Sequence, residues 1–320
     1  MWEASRLNSL ENKVFKQYWL VIPTLTLLLL PLSGQSYILN LLITCFIYSV
    51  LASFFNLPFR TLGYCNFGYA SFYGVGAYFS ALVAINYKVP VAIAIVGGFL
   101  FTALIGVGYG MLLSRLRGFH YVAMTSWFFG EIIRLIIIRA VDITRGMKGL
   151  YGIPFIFSSD ITPYYYLGLM LFIVSIVTCF KFLNSRIGIV CFAIGNDEAL
   201  AQSLGINTFK YKMLVITLST SFAGLMGSFY AHFRGTITPD MLDWAVTLNV
   251  LVFDIVGGMN SILGPIIGTF LLISLIETFR FVLEFSPIVL GAALLVVMLL
   301  FPDGIVGIPK YISKFRKASR

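Results

Sequence analysis

The sequence predicts an all-α polytopic membrane protein, a bundle of roughly ten spanning helices with both termini on the cytoplasmic side. Three observations lead there. Of the 320 residues, 59% are hydrophobic and 11% are charged, and the mean hydropathy is +0.93. Soluble domains carry about 25% charged residues, so a water-soluble fold of this size could not hide so much apolar surface. The apolar residues also arrive in successive runs, many near the length of about 20 that crosses the hydrocarbon layer. Finally, the basic residues behind the net charge of +9 are scattered between those runs. That distribution reads as membrane topology and argues against a nucleic-acid partner.

In chain order, a polar cytoplasmic segment (residues 1–17) precedes a first run, Tyr18–Ser33. No small-residue cleavage site follows it, so it reads as a signal anchor that stays. Further runs cover Tyr37–Leu57, Phe67–Ile85, Val89–Leu113, Tyr121–Ile138 and Pro163–Leu183. Residues 184–211 are the most hydrophilic internal segment. Lys212–Ala231, Val246–Val256, Ile262–Val282 and Ile288–Phe301 follow, so residues 18–301 form the membrane domain and 302–320 a basic tail. The run Val246–Val256 is short and ends on Gly257-Gly258, which predicts a broken or re-entrant helix. Such a break must be buried in protein or face water, because lipid cannot satisfy free backbone groups.

Charge orients this arrangement. With the N-terminus inside, Arg6, Lys13, Lys16, Arg60, Arg115, Arg117, Lys181, Arg186, Lys210, Lys212 and the basic tail fall on the cytoplasmic side, against Lys88, Arg139, Arg145, Lys148 and Arg234 outside. The positive-inside rule then puts residues 184–211 in the cytoplasm. Small residues four apart, as in Ala70-x3-Gly74, Gly106-x3-Gly110, Ala223-x3-Gly227 and Gly264-x3-Gly268, predict close helix crossings.

Motifs that carry chemistry are missing. The sequence holds no G-x-x-x-x-G-K-[ST], HExxH or G-x-S-x-G, so no catalytic or metal-binding residue is assigned and no ATPase of its own is expected. Cys45, Cys65, Cys179 and Cys191 form no CxxC and read as small apolar filler. His120 and His232 fall at run ends, where an amphipathic ring suits the interface.

Ionisable residues inside runs are the usual pointer to a transport path. Here they are Glu131, Arg134, Asp254, Glu277, Arg280 and Glu284. Glu131 with Arg134, and Glu277 with Arg280, stand three apart and can neutralise each other on one helix. Asp254 has no local partner. It is expected to lie inside the protein or to face water, where a substrate ammonium, a lysine from another span or water could meet it.

The sharpest local signal lies at Asn196-Asp197-Glu198-Ala199-Leu200-Ala201-Gln202-Ser203-Leu204-Gly205. Asn196 suits an N-cap, Asp197 and Glu198 suit the positive end of the helix dipole, and Gly205 suits the C′ stop. Leu200 and Leu204 make one greasy edge, with Ala201 beside it. A short amphipathic helix of this kind suits docking into a cleft on a cytoplasmic partner.

Here the residues resemble a known family, the permeases of branched-chain amino-acid ABC importers, and in particular the longer of the two permease subunits. The resemblance covers about Ile38 to Pro309. Gly63-x2-Asn66-Phe67-Gly68 with Phe72-Tyr73-Gly74-Val75-Gly76-Ala77-Tyr78 resembles the family's G-x-x-S-L-G…F-F-G-I-G-A-Y. Thr125 with Gly130-Glu131-Ile132-Ile133-Arg134 is similar to T-L-x-x-G-E-I-x-R, and Thr144 to Pro154 is similar to T-G-G-x-x-G-L-x-G-I-P. The segment from Ala193 to Lys212 resembles the family's coupling loop. Ala223-Gly224-x2-Gly227, Pro239, Gly257-Gly258, Gly264-Pro265-x2-Gly268 and Phe301-Pro302-x-Gly304 follow in the family's order. Asn66 replaces a serine, Tyr69 a histidine, Gly195 an arginine and Asn260 a glycine, and Asp254 stands where an apolar residue is expected.

The resemblance implies a subunit of the bacterial cytoplasmic (inner) membrane, embedded in the lipid bilayer and moving a small polar solute by alternating access. It implies a second homologous permease, two cytoplasmic ATPase subunits that bind ATP-Mg, and an extracytoplasmic solute-binding protein; this chain would bind no cofactor. The implied substrate path runs by Asn66, Phe67, Gly68, Gly74, Gly76, Thr125, Asp254, Gly257 and Gly258, and the ATPase contact by Asn196, Asp197, Glu198, Leu200, Ala201, Leu204 and Gly205. Broken, glycine-rich helices line the path in other transporters. A urea or short-amide permease of the same family, an ion-coupled secondary transporter served by Asp254, and a non-transporting scaffold are the alternatives.

Overall fold

A computed structural model of the chain describes residues 36–116, 118–157, 160–278, 291, 295 and 304–307. The expected runs Tyr18–Ser33 and most of Ile288–Phe301, the two terminal segments, Arg280 and Glu284 lie outside the described residues. Within them the chain is helical almost throughout. Its main helices are α1 (Ser36–Leu62), α2 (Tyr69–Tyr87), α3 (Val91–Leu113), α4 (Phe119–Arg139), α5 (Ile161–Leu183), α6 (Arg186–Asn196), α7 (Glu198–Ser203), α8 (Thr208–Arg234), α9 (Trp244–Gly257) and α10 (Gly264–Thr278). Of these, α1, α3, α4, α5 and α8 are long and apolar enough to cross a membrane.

Each apolar run between residues 37 and 278 is a helix, but the ends move. α1 continues past Leu57 through Pro58 and Arg60 and stops at Gly63, whose φ is 70°. Proline within a helix removes one rung of the hydrogen-bond ladder, which leaves the Phe54 carbonyl without its usual donor. The Ser219 hydroxyl of α8 takes that place at 2.6 Å. A neighbouring helix thus supplies the bond that lipid could not.

α8 is the central helix, packed against α1, α2 and α3. Its contacts are backbone-close because small residues meet there. A Cβ added to Gly76 would overlap the Gly224 backbone, one on Gly106 would meet Thr220, and one on Gly110 would meet Met213. Without a hydrophobic force between helices in lipid, such close approach is what holds them. Beyond α8 the chain forms a two-residue ribbon: β1 (Leu150–Tyr151) pairs antiparallel with β2 (Thr236–Ile237). The ribbon closes the end of the bundle away from α6 and α7.

One histidine departs from expectation. His232 is fully buried, not interfacial. Its Nδ1 faces the Pro154 carbonyl at 2.7 Å and its Nε2 faces the Ser80 hydroxyl at 2.8 Å. A carbonyl only accepts, so Nδ1 donates and Nε2 accepts from Ser80. His120 is exposed at the start of α4.

α9 has 14 residues, about 21 Å of helix, against a hydrocarbon layer of about 30 Å. It begins inside the bundle. After β2, a 3-10 turn (Pro239–Leu242) packs Leu242 against Gly74 of α2. The Trp244 ring lies 5.8 Å from Trp127 of α4, and the Ala70 amide of α2 donates to Thr247 at 3.0 Å. α9 then turns at Gly258 (φ 113°) into α10, and the two cross where Gly257 and Gly268 meet backbone to backbone.

Candidate translocation path and coupling helix

The residues assigned to a path fall mainly at two interruptions of helix. The first is the irregular segment from Gly63 to Gly68 between α1 and α2. Asn66 is 4% exposed, and its Oδ1 accepts from the Tyr109 hydroxyl of α3 at 2.8 Å. The Phe67 amide donates to Ser126 Oγ of α4 at 2.9 Å, and the Tyr64 hydroxyl donates to the Leu116 carbonyl at 3.0 Å. Gly68 lies so close to α4 that a Cβ would overlap the Ser126 carbonyl. Ser126, and not Thr125, is therefore the α4 residue that bonds this segment; Thr125 is half-buried beside it. Gly74 faces the Leu242 side chain of the 3-10 turn, and Gly76 lies where α2 crosses α8 against the Gly224 backbone.

The second interruption is the turn between α9 and α10. Asp254 stands one helical turn before it and is 0% exposed, and neither carboxylate oxygen has a hydrogen-bond partner among the described residues. Gly257 meets the Gly264 carbonyl, and Gly304 lies against the Gly258 backbone. One side chain reaches the turn from α1, where Asn56 Nδ2 donates to the Met259 carbonyl at 3.0 Å. A small pocket lined by Ser53, Asn56, Arg60, Cys179, Ser261 and Pro265 opens beside it.

A further cluster was hidden in the sequence. Arg134 pairs with Glu131 at 2.9 Å, as the spacing implied, and also with Asp243 at 3.4 Å. Asp243 is the N-cap of α9 and accepts from the Ala245 amide at 2.9 Å. Two carboxylates thus share one guanidinium where α9 starts inside the bundle. Trp127 and Trp244 sit nearby and are 38% and 46% exposed. The signal in the sequence is an aspartate just before an apolar helix, masked because the apolar run itself starts only at Val246. Glu277 accepts from the Tyr37 hydroxyl at 2.6 Å; its expected partner Arg280 is outside the described residues.

The segment 184–211 holds more structure than a polar loop. α6 runs from Arg186 to Asn196, so Asn196 ends a helix and does not cap one. Asp197, in extended conformation, is the N-cap of α7 and accepts from the Leu200 amide at 2.9 Å. Both residues are good caps; α6 decides between them by continuing through Asn196. At the other end the Gly205 amide donates to the Gln202 carbonyl at 3.0 Å and the Ile206 amide to Ala201 at 3.1 Å. With Gly205 at φ 79°, this is the Schellman stop that the glycine implied. Leu200 and Leu204 are 58% and 73% exposed, whereas Ala201 is 3% exposed. Ala201 therefore seats α7 on its own chain and is no part of an outward edge. Glu198 does more than suit a helix dipole: its Oε1 lies 2.6 Å from Lys212 Nζ.

With this geometry in hand, the chain can be set beside known proteins. Residues 37–301 match the family described as "Branched-chain amino acid transport system / permease component". The chain belongs to that family. It is 27% identical over 288 residues to the high-affinity branched-chain amino acid transport system permease protein LivM of Salmonella typhimurium, covering 81% of this chain and 68% of the relative. The LivM protein of Escherichia coli K12 matches to the same extent. The LivH permease of Salmonella typhimurium is 22% identical, over 82% of this chain and 92% of its own. No solved structure matches.

Family membership makes the chain a multi-pass membrane protein and a permease component. It also gives meaning to one departure from the family's pattern. Gly195 lies on the end of α1, where a Cβ would overlap the Thr61 carbonyl. An arginine there would push α6 away from α1.

Proposed function

We propose that this permease moves a hydrophobic, branched-chain amino acid across the bacterial inner membrane by alternating access, driven by ATPase subunits in trans. In this reading about ten spans, with both termini inside, pair with a second homologous permease. Two cytoplasmic ATPases carry the ATP-Mg, and an extracytoplasmic binding protein delivers the solute. The observation that carries the ATP-driven reading is α7. Its two exposed leucines, Leu200 and Leu204, stand on a helix capped at both ends and braced to α8 through Glu198. Exposed leucines on a rigid cytoplasmic helix fit the helix-in-groove mode of recognition.

The test is Leu204→Asp. The variant should insert at normal levels, because the side chain is exposed. Pull-down on tagged permease should lose the ATPase subunits, and uptake of branched-chain amino acids should stop. A variant that retains both leaves α7 an ordinary surface helix. The buried Ala201 is unsuited to this test, since a bulky residue there would disturb the helix's own seat. An ion-coupled mechanism is the second reading, favoured by the buried carboxylate of Asp254. Uptake in energised vesicles that survives ATP depletion and collapses with an ionophore would select it.

A further inference from the structure

Among the described residues, α7 is ion-paired to the rest of the chain at one point, and that point has a second neighbour. Lys212 lies in the first turns of α8 with its side chain 2% exposed, paired to Glu198 Oε1 at 2.6 Å. The same ammonium sits 5.2 Å from the centroid of the Tyr64 ring, within cation–π range. Tyr64 belongs to the irregular Gly63–Gly68 segment, and its hydroxyl is fixed to the Leu116 carbonyl at 3.0 Å. One buried charge therefore touches the docking helix on one side and the interrupted backbone on the other.

The neighbourhood makes this link stiff. Glu198 Oε1 also accepts from the Thr208 hydroxyl at 3.2 Å, and Gln202 Nε2 donates to Thr208 Oγ1 at 3.0 Å. These contacts fix the carboxylate against the start of α8. Gly195 packs onto the backbone of Thr61 and Leu62, and the Arg60 guanidinium lies 5.8 Å from the Phe192 ring centroid. α6 therefore bears on the last turn of α1, directly before the interruption. A buried ammonium cannot release one partner without leaving its charge uncompensated. It has to travel with Glu198, and the Tyr64 ring has to follow or lose its contact.

We propose that Lys212 is a positioning residue that transmits displacement of α7 to the Gly63–Gly68 segment, through Glu198 on one side and Tyr64 on the other. The proposal rests on α7 being the ATPase-docking helix and adds the route inward. Coupling between sites travels through contiguous contacts, and Glu198–Lys212–Tyr64 is a contiguous contact chain. Lys212 acts on the solute only through the segment it holds.

The experiment uses the assembled transporter in proteoliposomes and follows three quantities: ATPase subunits retained, ATP hydrolysed and amino acid taken up. Lys212→Met should keep the ATPase subunits and their hydrolysis, while uptake per ATP falls about tenfold, a size typical of coupling between two sites. Glu198→Gln should do the same, and the double variant should be no worse than either single one. Lys212→Arg keeps the charge and should recover most of the uptake. Tyr64→Phe keeps the ring and should transport, whereas Tyr64→Leu should behave like Lys212→Met. The Tyr64 pair decides the matter if Lys212→Met fails to fold. Normal uptake per ATP in Lys212→Met or Tyr64→Leu overturns the proposal, and so does release of the ATPase by Lys212→Met, which would make Lys212 part of the docking seat. A failure of docking reads differently, because Leu204→Asp would then retain the ATPase whatever the Lys212 variants do.

Discussion

Between α1 and α2 the backbone from Gly63 to Gly68 is held by side chains from other helices, with Asn66 bonded to Tyr109, Phe67 to Ser126 and Tyr64 to the Leu116 carbonyl. Between α9 and α10 the turn is held mainly by glycine against backbone, with Asn56 as its one side-chain tie from another helix among the described residues. The first arrangement resists distortion, since a buried polar group left without its partner costs about 1–3 kcal/mol. The second can slide at the cost of the single Asn56–Met259 bond, because van der Waals contacts reform after a small shift. Asp254, buried beside it with no hydrogen-bond partner among the described residues, is destabilising in this arrangement. In the path proposed above, Gly63–Gly68 is the fixed wall, in that it keeps its shape and is displaced only as a block with the helices it is bonded to, and α9–α10 is the moving wall, which slides within itself.

The strongest challenge to the fixed wall is Gly68→Val. The new side chain would overlap the Ser126 carbonyl, and Gly130 stands behind it, so two backbones must separate. Overpacking a well-packed site costs about 1–3 kcal/mol, occasionally more, and backbone against backbone belongs at the upper end. The variant should lose most of its folded protein, read as monodisperse permease after extraction in mild detergent. Full recovery would mean that the segment is not held by α4.

A pair of substitutions compares the two walls directly. Asn66→Ala strands the Tyr109 hydroxyl and should lower stability by about 1–3 kcal/mol. Asp254→Leu removes a carboxylate that has no partner among the described residues and should raise stability by about 2.5–3.5 kcal/mol, the insertion cost of such a group. Both replace a polar residue by an apolar one, and the signs should be opposite in thermal melts of the purified protein. Uptake should fall in both, for Asp254→Leu despite the gain in stability. An Asp254→Leu variant that melts lower would place a partner on that carboxylate and end the contrast.

These assignments separate what the sequence declares from what it hides. The helices were legible because apolar runs are a property of consecutive residues, and Gly205 was legible because a Schellman stop needs only its own turn. Asp254 was legible as an unpartnered intramembrane charge. The contacts that make a site were not. Nothing near Asp243 names Arg134 as its partner, nothing in the Thr125-Ser126 pair says which hydroxyl meets Phe67, and the run-end position of His232 says nothing of Ser80 or Pro154. Local pattern reports the face a residue prefers, whereas a partner is set by how whole helices cross. The same limit misplaced the α7 cap at Asn196, because the helix occupying Asn196 is fixed by the contact of Gly195 with α1.

The smallest effect belongs to Asn56, and it tests whether the second turn is tied at all. Its Nδ2 donates to the Met259 carbonyl at 3.0 Å, while its Oδ1 is buried with no partner among the described residues. Asn56→Leu therefore loses one hydrogen bond, worth about 0.5–1.5 kcal/mol net. It also removes an orphaned acceptor, whose burial costs about 1–3 kcal/mol. The two terms oppose, so stability should change by less than about 1 kcal/mol. Freedom of the turn should change more than stability does, since the lost bond is the tie and the lost acceptor is not. A cysteine at Met259, in a background with the four buried native cysteines replaced, should react faster with a water-soluble maleimide once Asn56 is leucine. An unchanged rate would mean that glycine packing alone holds α9 to α10, and the moving wall would then have no latch.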